Sequence, residues 1–172
     1  MVKRLLSLGM AVLLLAVWAC SEPPREVTEL RHYPVAGLDG LLTQSGVELD
    51  TVVTSDGNGA LRIRADRPTT VRLYETGDLD VEDARLVYRA KLRTENLEGR
   101  AYLEMWCDFG GRGEFFSRAL HAPLTGTVDW SSQETPFLLR AGENPRNVRL
   151  NLVIEGTGTA WVDDIYLLRG TL

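Results

Sequence analysis

Two segments of the chain carry side chains suited to ligand binding at alternate positions. Tyr102, Glu104 and Trp106 alternate along one segment, and Arg149 and Asn151 alternate along the other. Because successive side chains of a β-strand point to opposite faces, each set lies on one face. If the two faces share a sheet, they form an aromatic floor ringed by arginine, amide and carboxylate groups. Sugars stack their C–H faces on such rings and hydrogen-bond their hydroxyls to such polar groups, and clustered exposed rings often mark a contact site.

Arg89 holds the outward position of a third alternating segment, and we expect it to join the same face. Trp106 is the side chain that we expect to contact a ligand first, with Tyr102 second. Two other interpretations of Trp106 stay open. A loop could cover its ring, or the ring could pack across strands against arginine stems.

Catalytic motifs are missing from the sequence. It contains no Gly-x-Ser-x-Gly elbow, no His-Glu-x-x-His pair and no glycine-rich loop with lysine and serine. Glu104 and Asp108 would stand roughly 13 Å apart along a strand, beyond the roughly 6.5–9.5 Å that separates the two carboxyls of inverting glycosidases. Pairing of Glu104 with Glu155 or Asp163 across strands stays open. We therefore expect a binding protein and not an enzyme.

The elements that would position these side chains are β-strands. Apolar residues alternate with polar ones over 86–93, 101–109 and 147–155, which predicts strands with one buried face. Segments 51–54 and 60–64 flank an Asn-Gly pair, and we predict a tight hairpin there. Glycine-bearing turns separate the segments, and none shows sustained helical periodicity. The pattern predicts an all-β fold, a two-sheet antiparallel β-sandwich of the jelly-roll type.

The order of motifs in the second half resembles galactose-binding-like jelly rolls, a superfold that includes many carbohydrate-binding modules. An aspartate–tryptophan pair at 129–130 precedes the strand at 147–155, and 156–165 carries Gly-Thr-Gly followed by Trp-Val-Asp-Asp. The resemblance covers roughly residues 50–168. It implies the fold more than a function, because the superfold hosts many unrelated activities.

The same resemblance implies a role for the paired acids Asp163 and Asp164. In some of these modules an aspartate of the last strand binds a structural calcium ion, and calcium takes about six to eight oxygen ligands. The alternative is that one aspartate caps a turn or accepts hydrogen bonds from backbone amides while the other faces water. The sequence predicts no other cofactor.

The N-terminus resembles a bacterial lipoprotein signal peptide. Lys3 and Arg4 precede the uncharged stretch 5–17, and Ala19 stands directly before Cys20. The resemblance implies a signal peptide at 1–19 and lipidation (palmitate) at Cys20. The polar, proline-bearing residues that follow predict a lipidated tether at 20–31, and the β-sandwich domain is expected at 32–172. A retained transmembrane helix is the poorer interpretation, because 15 uncharged residues fall short of the roughly 20 that span a bilayer. An ordinary secretory peptide is the other alternative.

The charge and the cysteine content of the chain limit its possible binding partners and disulfide bonds. Without residues 1–19 the chain carries 17 basic and 24 acidic residues, a formal charge of −7. This excess of acidic residues argues against a nucleic-acid partner, because proteins bind nucleic acid largely through lysine and arginine. It also argues against electrostatic binding to anionic lipid, so we expect the lipid on Cys20 to provide the membrane attachment. With Cys20 lipidated, Cys107 has no disulfide partner, and we expect it to be a small buried hydrophobe.

These observations lead to two functional hypotheses. The first is a lipid-anchored, non-catalytic binding protein of the bacterial cell envelope that recognises a glycan or glycoconjugate, at the outer membrane if the cell is Gram-negative. The second is a protein-interaction or scaffolding lipoprotein that docks an envelope protein and binds no sugar.

Overall fold

The structure is a computed structural model, and it describes residues 27–172. Eight strands fill most of this range: β1 (Val27–Tyr33), β2 (Val47–Asp50), β3 (Ala60–Ala65), β4 (Thr69–Gly77), β5 (Ala84–Asp108), β6 (Glu114–Arg118), β7 (Leu124–Leu139) and β8 (Asn147–Gly170). A short 3-10 helix, Gly110–Arg112, joins β5 to β6. Within 27–172 no helix has the length and apolar character needed to cross a membrane. The predicted signal peptide, Cys20 and residues 20–26 of the predicted tether lie outside the described residues.

All eight strands join one antiparallel sheet built around the two long strands, β5 and β8. β8 pairs with β5 along nearly its whole length. On the other side of β8, β4 pairs with its first part, and β3 and β1 pair with its later part. β6 and β7 pair with β5 on the side away from β8. The sheet therefore has two halves, each containing half of β5 and half of β8.

The two halves fold onto each other about the middle of the long strands, where Gly99 faces Gly156. The strand ends give the evidence. Phe137 pairs with Leu86 near the start of β5, whereas Phe109 directly follows the last residue of β5, yet their rings lie 6.0 Å apart. The two ends of a 25-residue strand therefore meet, and the two halves form the layers of a sandwich.

One apolar core fills the space between the layers. Leu86, Tyr88 and Leu92 from the first half of β5 share a cluster with Leu103 and Met105 from its second half, all at most 1% exposed. This alternation of buried residues confirms the all-β antiparallel prediction. The eight described strands and the core between them form one continuous unit over residues 27–172.

The hairpin predicted at 51–64 is partly wrong. β3 pairs with Val47–Asp50, so residues 51–59 form a long loop and not the first strand with a tight turn. The physical reason is the side chain of Asp50, whose Oδ1 accepts the backbone N–H groups of Val52 and Val53 at 3.0 Å. These bonds turn the chain out of the sheet directly after β2.

The predicted boundary between tether and domain also shifts. β1 begins at Val27 and pairs with the end of β8, with Val27 opposite Gly170. Residues 27–31, assigned to the tether from their sequence, therefore belong to the sheet. Short polar strands at a sheet edge lack the strict apolar alternation that identifies central strands, because only one face and one edge are covered.

Candidate ligand-binding groove

The second half of β5 lies between β6 and β8, and this order brings together residues that are far apart in sequence. Glu104 is opposite Arg118 of β6 and opposite Asn151 of β8. Only 4% of Glu104 is exposed, so its carboxylate needs hydrogen-bond partners in place of water. The two neighbouring strands supply two of them, and β5 itself supplies the third.

Three donors hold the Glu104 carboxylate. Oε1 accepts the indole Nε1–H of Trp106 at 2.7 Å and Nδ2–H of Asn151 at 2.9 Å, and Oε2 accepts Nε–H of Arg118 at 2.6 Å. Burial by itself would raise the pKa of Glu104, but the bonds from Asn151, Trp106 and Arg118 outweigh it, and the pKa lies below its ordinary value. Glu104 is therefore an ionised hub that fixes an indole, an amide and a guanidinium.

A second acid–aromatic pair lies nearer the bend of the strands. The Tyr102 hydroxyl donates to Glu155 Oε1 at 2.7 Å, and Arg100 Nε–H donates to Glu155 Oε2 at 2.5 Å. Burial, and then the bond to Glu155, raise the pKa of Tyr102 to about 12. The bonds from Arg100 and Tyr102 hold the pKa of Glu155 below its ordinary value. Tyr102 therefore stays protonated and Glu155 stays ionised at neutral pH.

Trp106 is half-buried, and its surroundings are aromatic and cationic. Its ring lies 5.0 Å from that of Phe116, tilted by 46°, and the Arg149 guanidinium lies over the indole at 5.9 Å. Arg118 lies over the Phe116 ring at 4.4 Å. Such cation–π contacts hold the planar guanidinium groups in place.

These side chains border a groove of about 320 Å³. Its polar and aromatic lining comes from β4, β5, β6 and β8: Thr69, Thr70, Tyr102, Trp106, Arg118 and Glu155. The side chains of Arg118 and Glu155 are 36% and 41% exposed, so both can still reach a ligand after satisfying their protein partners. The groove thus offers aromatic surface, hydroxyls, a guanidinium and a carboxylate.

Five of the six predicted ligand-contacting residues meet at this place. Tyr102, Glu104 and Trp106 line the groove, whereas Asn151 and Arg149 stand behind it and hold Glu104 and Trp106. The expectation of an open aromatic floor is wrong for three of them, because Tyr102, Glu104 and Asn151 are 2%, 4% and 3% exposed. Arginine side chains of the neighbouring strands cover part of this face, since Arg149 lies over Trp106 and Arg118 bonds Glu104.

Arg89 does not reach the groove, which corrects the prediction that it shares this face. It lies in the first half of β5, where it pairs with Glu134 at 2.9 Å and stands opposite Tyr166. Alternation along 86–93 and along 101–109 predicted outward faces correctly. It carried no information on the bend at Gly99, which puts the two segments in different layers.

Arg118 is the groove residue that the sequence interpretation missed. The segment 114–118 follows the glycine-rich turn at 110–113, and pairing it back along β5 places Arg118 opposite Glu104. The register of a strand that returns directly after a turn could therefore have identified Arg118 from the sequence. Thr69 and Thr70 were missed because β4 reaches the groove only through its pairing with β8.

The paired aspartates of β8 do not fit the predicted calcium site. Both oxygens of the fully buried Asp163 accept protein donors: Oδ2 takes Ser55 N–H at 2.9 Å and Ser55 Oγ–H at 2.8 Å, and Oδ1 takes Asp164 N–H at 2.7 Å. Asp164 contacts His32 Nε2 at 3.2 Å. Residues 27–172 hold no group of three or more His, Cys, Asp or Glu side chains that could bind a metal. The geometry instead resembles the alternative, in which an aspartate accepts backbone amides.

The pKa values of the carboxylates in the groove do not favour acid–base catalysis. A glycosidase needs one carboxylic acid whose pKa is raised, so that it can donate a proton. The pKa values of Glu104 and Glu155 are both lowered. Cys107 is fully buried, and desolvation raises the pKa of its thiol to about 12, which makes it an inert core residue as predicted. Neither carboxylate of the groove therefore has the raised pKa of a general acid.

The fold is similar to solved structures of carbohydrate-binding modules. The xylan-binding CBM22-1 domain of Xyn10C from Paenibacillus barcinonensis matches with a TM-score of 0.60 at 12% identity, over 87% of this chain and 99% of that domain. The CBM22-1–GH10 modules of xylanase 10B from Clostridium thermocellum, complexed with xylohexaose, match with a TM-score of 0.59 at 12% identity, over 82% of this chain. This chain spans 28% of the length of that xylanase chain.

No protein-family model matches the sequence, and no curated protein matches it. At the identities of the solved structures, the likeness establishes the jelly-roll β-sandwich fold and leaves the ligand to the chemistry of the groove.

Proposed function

We propose that the protein is a lipid-anchored, non-catalytic glycan-binding protein of the bacterial cell envelope. The observation that carries the proposal is the groove, in which Glu104 holds Trp106 and Arg118 at 2.7 and 2.6 Å. One ionised side chain thereby sets the position of both an aromatic ring and a planar donor. Preorganised groups lose little freedom on binding, which favours affinity for a ligand that offers few strong contacts.

The groups of the groove that remain available to a ligand suit the hydroxyls and C–H faces of a polysaccharide. Arg118 uses Nε for Glu104, so its terminal nitrogens remain to donate to sugar hydroxyls. Thr69, Thr70 and Glu155 add hydroxyl and carboxylate acceptors along the same wall. Trp106 supplies the apolar surface on which a C–H face can stack. Because the charges of Arg118 and Glu155 are opposite, this pair gives the groove no net charge, which suits an uncharged polysaccharide.

The similar folds support this proposal without deciding it. One of the matching structures is a xylan-binding domain, another was solved in complex with xylohexaose, and a third is a CBM61 module in complex with β-1,4-galactotriose, the last with a TM-score of 0.50. The sugars therefore differ among modules of similar fold. We leave the sugar open and propose the class, a β-linked neutral polysaccharide.

The sugar proposal is tested with the soluble segment 20–172 against a panel of insoluble and soluble polysaccharides. Trp106→Ala should lower affinity for the bound polysaccharide by about tenfold or more, the effect of losing a stacked ring of this kind. Trp130→Ala is the matched control, because Trp130 is also half-buried but lies outside the groove. Unchanged affinity of Trp106→Ala would remove the groove as the site. Binding to no polysaccharide, with an envelope protein recovered by crosslinking, would favour the scaffolding hypothesis.

The anchor rests on the sequence alone and has its own test. Cells that express the full chain should incorporate labelled palmitate, and Cys20→Ser should abolish the label. Cys107→Ser is the control and should keep it, because Cys107 is buried in the core. Labelling of Cys20→Ser at the level of the unmodified protein would contradict the anchor and leave the groove proposal intact.

A further inference from the structure

Two exposed and two partly buried apolar side chains form a patch at the end of the sandwich where the ends of β5 meet. We call it the phenylalanine rim: Phe109, Phe115, Phe137 and Leu138. Leu138 and Phe115 are 63% and 52% exposed, large values for side chains of this kind. Phe109 lies 6.0 Å from both Phe115 and Phe137, so the rings form a continuous apolar surface around a shallow groove of about 290 Å³.

Two arginines border the rim. Arg112 lies over the Phe109 ring at 5.3 Å and donates to the carbonyl oxygen of Gly142 at 3.0 Å. Arg140 lines the same groove. Glu143, the acid nearest to them in the groove, accepts the backbone N–H of Arg140 at 2.9 Å. The rim thus combines apolar side chains with guanidinium groups at its border, on a chain whose overall charge is negative.

The chain enters the sandwich beside this rim. Leu138 is opposite Arg85, Arg85 is opposite Gly170, and Gly170 is opposite Val27. Three strand spacings separate Leu138 from Val27, roughly 14 Å. Cys20 precedes Val27 by seven residues, which at full extension span about 25 Å.

We propose that the phenylalanine rim docks on the lipid surface that holds the anchor. The proposal rests on the lipid anchor at Cys20 proposed above and goes beyond glycan binding. The short chain between Cys20 and Val27 keeps the rim within reach of the headgroups. Phe and Leu side chains enter the boundary between headgroups and acyl chains, while arginines extend to the phosphates.

A second copy of the chain fits the rim less well than lipid does. In a two-fold dimer the same patch meets itself, so the arginines of both copies would lie in one interface. Four partly covered side chains also fall short of the roughly 800 Å² that each partner of a stable interface buries. Lipid phosphates, by contrast, complement both arginines.

Docking of the rim would set the orientation of the groove. Trp106, at one end of the groove, is opposite Phe116 beside the rim, whereas Tyr102 and Glu155, at its other end, lie near the bend at Gly156, opposite the rim. With the rim on the bilayer, this end points away from the membrane, where a polysaccharide can reach it. Because stable anchoring takes two membrane signals, the rim would add affinity to that of the lipid as well as set the orientation.

Hydrogen exchange of the mature segment 20–172 tests docking without depending on cellular lipidation. Cys20 is coupled either to a maleimide phospholipid in vesicles of phosphatidylethanolamine and phosphatidylglycerol, or to maleimide polyethylene glycol in solution. Coupling selects Cys20 because Cys107 is fully buried. On vesicles, amides of 109–113 and 138–143 should exchange roughly tenfold more slowly than in solution, while the loop 51–59, where Val52 is 88% exposed, should not change.

The double variant Phe115→Ser, Leu138→Ser is the matched test of the rim. Both side chains are more than half exposed, so their replacement should leave the core intact and remove the protection on vesicles. Equal exchange of the unmodified protein on vesicles and in solution would overturn the proposal. Protection that also develops with polyethylene glycol, and rises with protein concentration, would assign the rim to self-association and overturn it too. Failure of palmitate labelling would contradict the anchor, and not this result.

Discussion

Arg118 and Glu104 form an ion pair across β5 and β6 in which Nε–H donates to Oε2 at 2.6 Å. The carboxylate side is nearly buried, with 6% of the side chain exposed, whereas 36% of the arginine side chain is exposed. The pair therefore links a buried carboxylate of the sheet to a guanidinium that borders the groove. Because the other oxygen of Glu104 accepts from Trp106 and Asn151, a single side chain orders most of the candidate site.

Glu104→Ala should lower the free energy of unfolding by about 3 kcal/mol, because it leaves a buried arrangement of donors without their charged acceptor. Urea unfolding of the purified domain measures the change. Glu134→Ala is the control, since its pair with Arg89 is well exposed and should cost less than about 1 kcal/mol. Equal, small losses in the two variants would show that Glu104 is not a structural hub.

Arg118→Lys should weaken polysaccharide binding by about tenfold, because lysine keeps the charge but lacks the planar set of donors that bonds Glu104 and a sugar at once. Isothermal titration with the polysaccharide found in the panel measures the affinity. Arg64→Lys, at an exposed arginine of β3, should bind as the unmodified protein does. Full affinity of Arg118→Lys would remove the guanidinium from the binding model.

Asp50 should make stability depend on acidity. Hydrogen bonds from the backbone N–H of Val53 and from the Trp161 indole Nε1–H, the latter at 3.0 Å, lower the pKa of this buried carboxyl to about 2. A carboxyl whose folded pKa is depressed stabilises the protein above its unfolded pKa of about 4 and loses this contribution as pH falls toward 2. The contribution is roughly 2 kcal/mol.

Asp50→Asn should therefore be less stable than the unmodified protein at pH 7, with a difference that shrinks between pH 4 and pH 2. Urea unfolding at a series of pH values follows this difference. Asp39→Asn, at an exposed aspartate, serves as control and should show no such trend. A difference that stays constant as the pH is lowered would mean that Asp50 titrates normally in the folded protein.

Gly156→Ala should prevent folding or cost about 3 kcal/mol or more. A Cβ at this position would lie 1.8 Å from the carbonyl oxygen of Glu98, and φ is +148°, a region that side-chain-bearing residues rarely adopt. Gly111→Ala is the control, because no atom lies within 4 Å of its Cβ position. Thermal unfolding followed by circular dichroism compares the two. A melting temperature for Gly156→Ala near that of Gly111→Ala would contradict the close approach of the two long strands at the bend.

The sequence by itself determined the faces of the strands. Period-two alternation put Leu103 and Met105 into the core and Tyr102, Glu104 and Trp106 on the opposite face, as the structure confirms. It also put Arg149 and Asn151 on one face of their segment, and the pairing of 147–155 with 101–108 then brought the two faces together. Alternation is a local property of an extended chain, so it can be read without knowing which strands are neighbours.

Tertiary structure decided what no local pattern carries: the bend of the long strands at Gly99 and Gly156, and the neighbours of each strand. The bend moved Arg89 into the other layer, and the return of β6 brought Arg118 onto Glu104. It also joined Phe109 to Phe137 at the rim beside Val27. These relationships depend on which distant segments pack together to bury one core, and that choice is a property of the whole chain rather than of any segment.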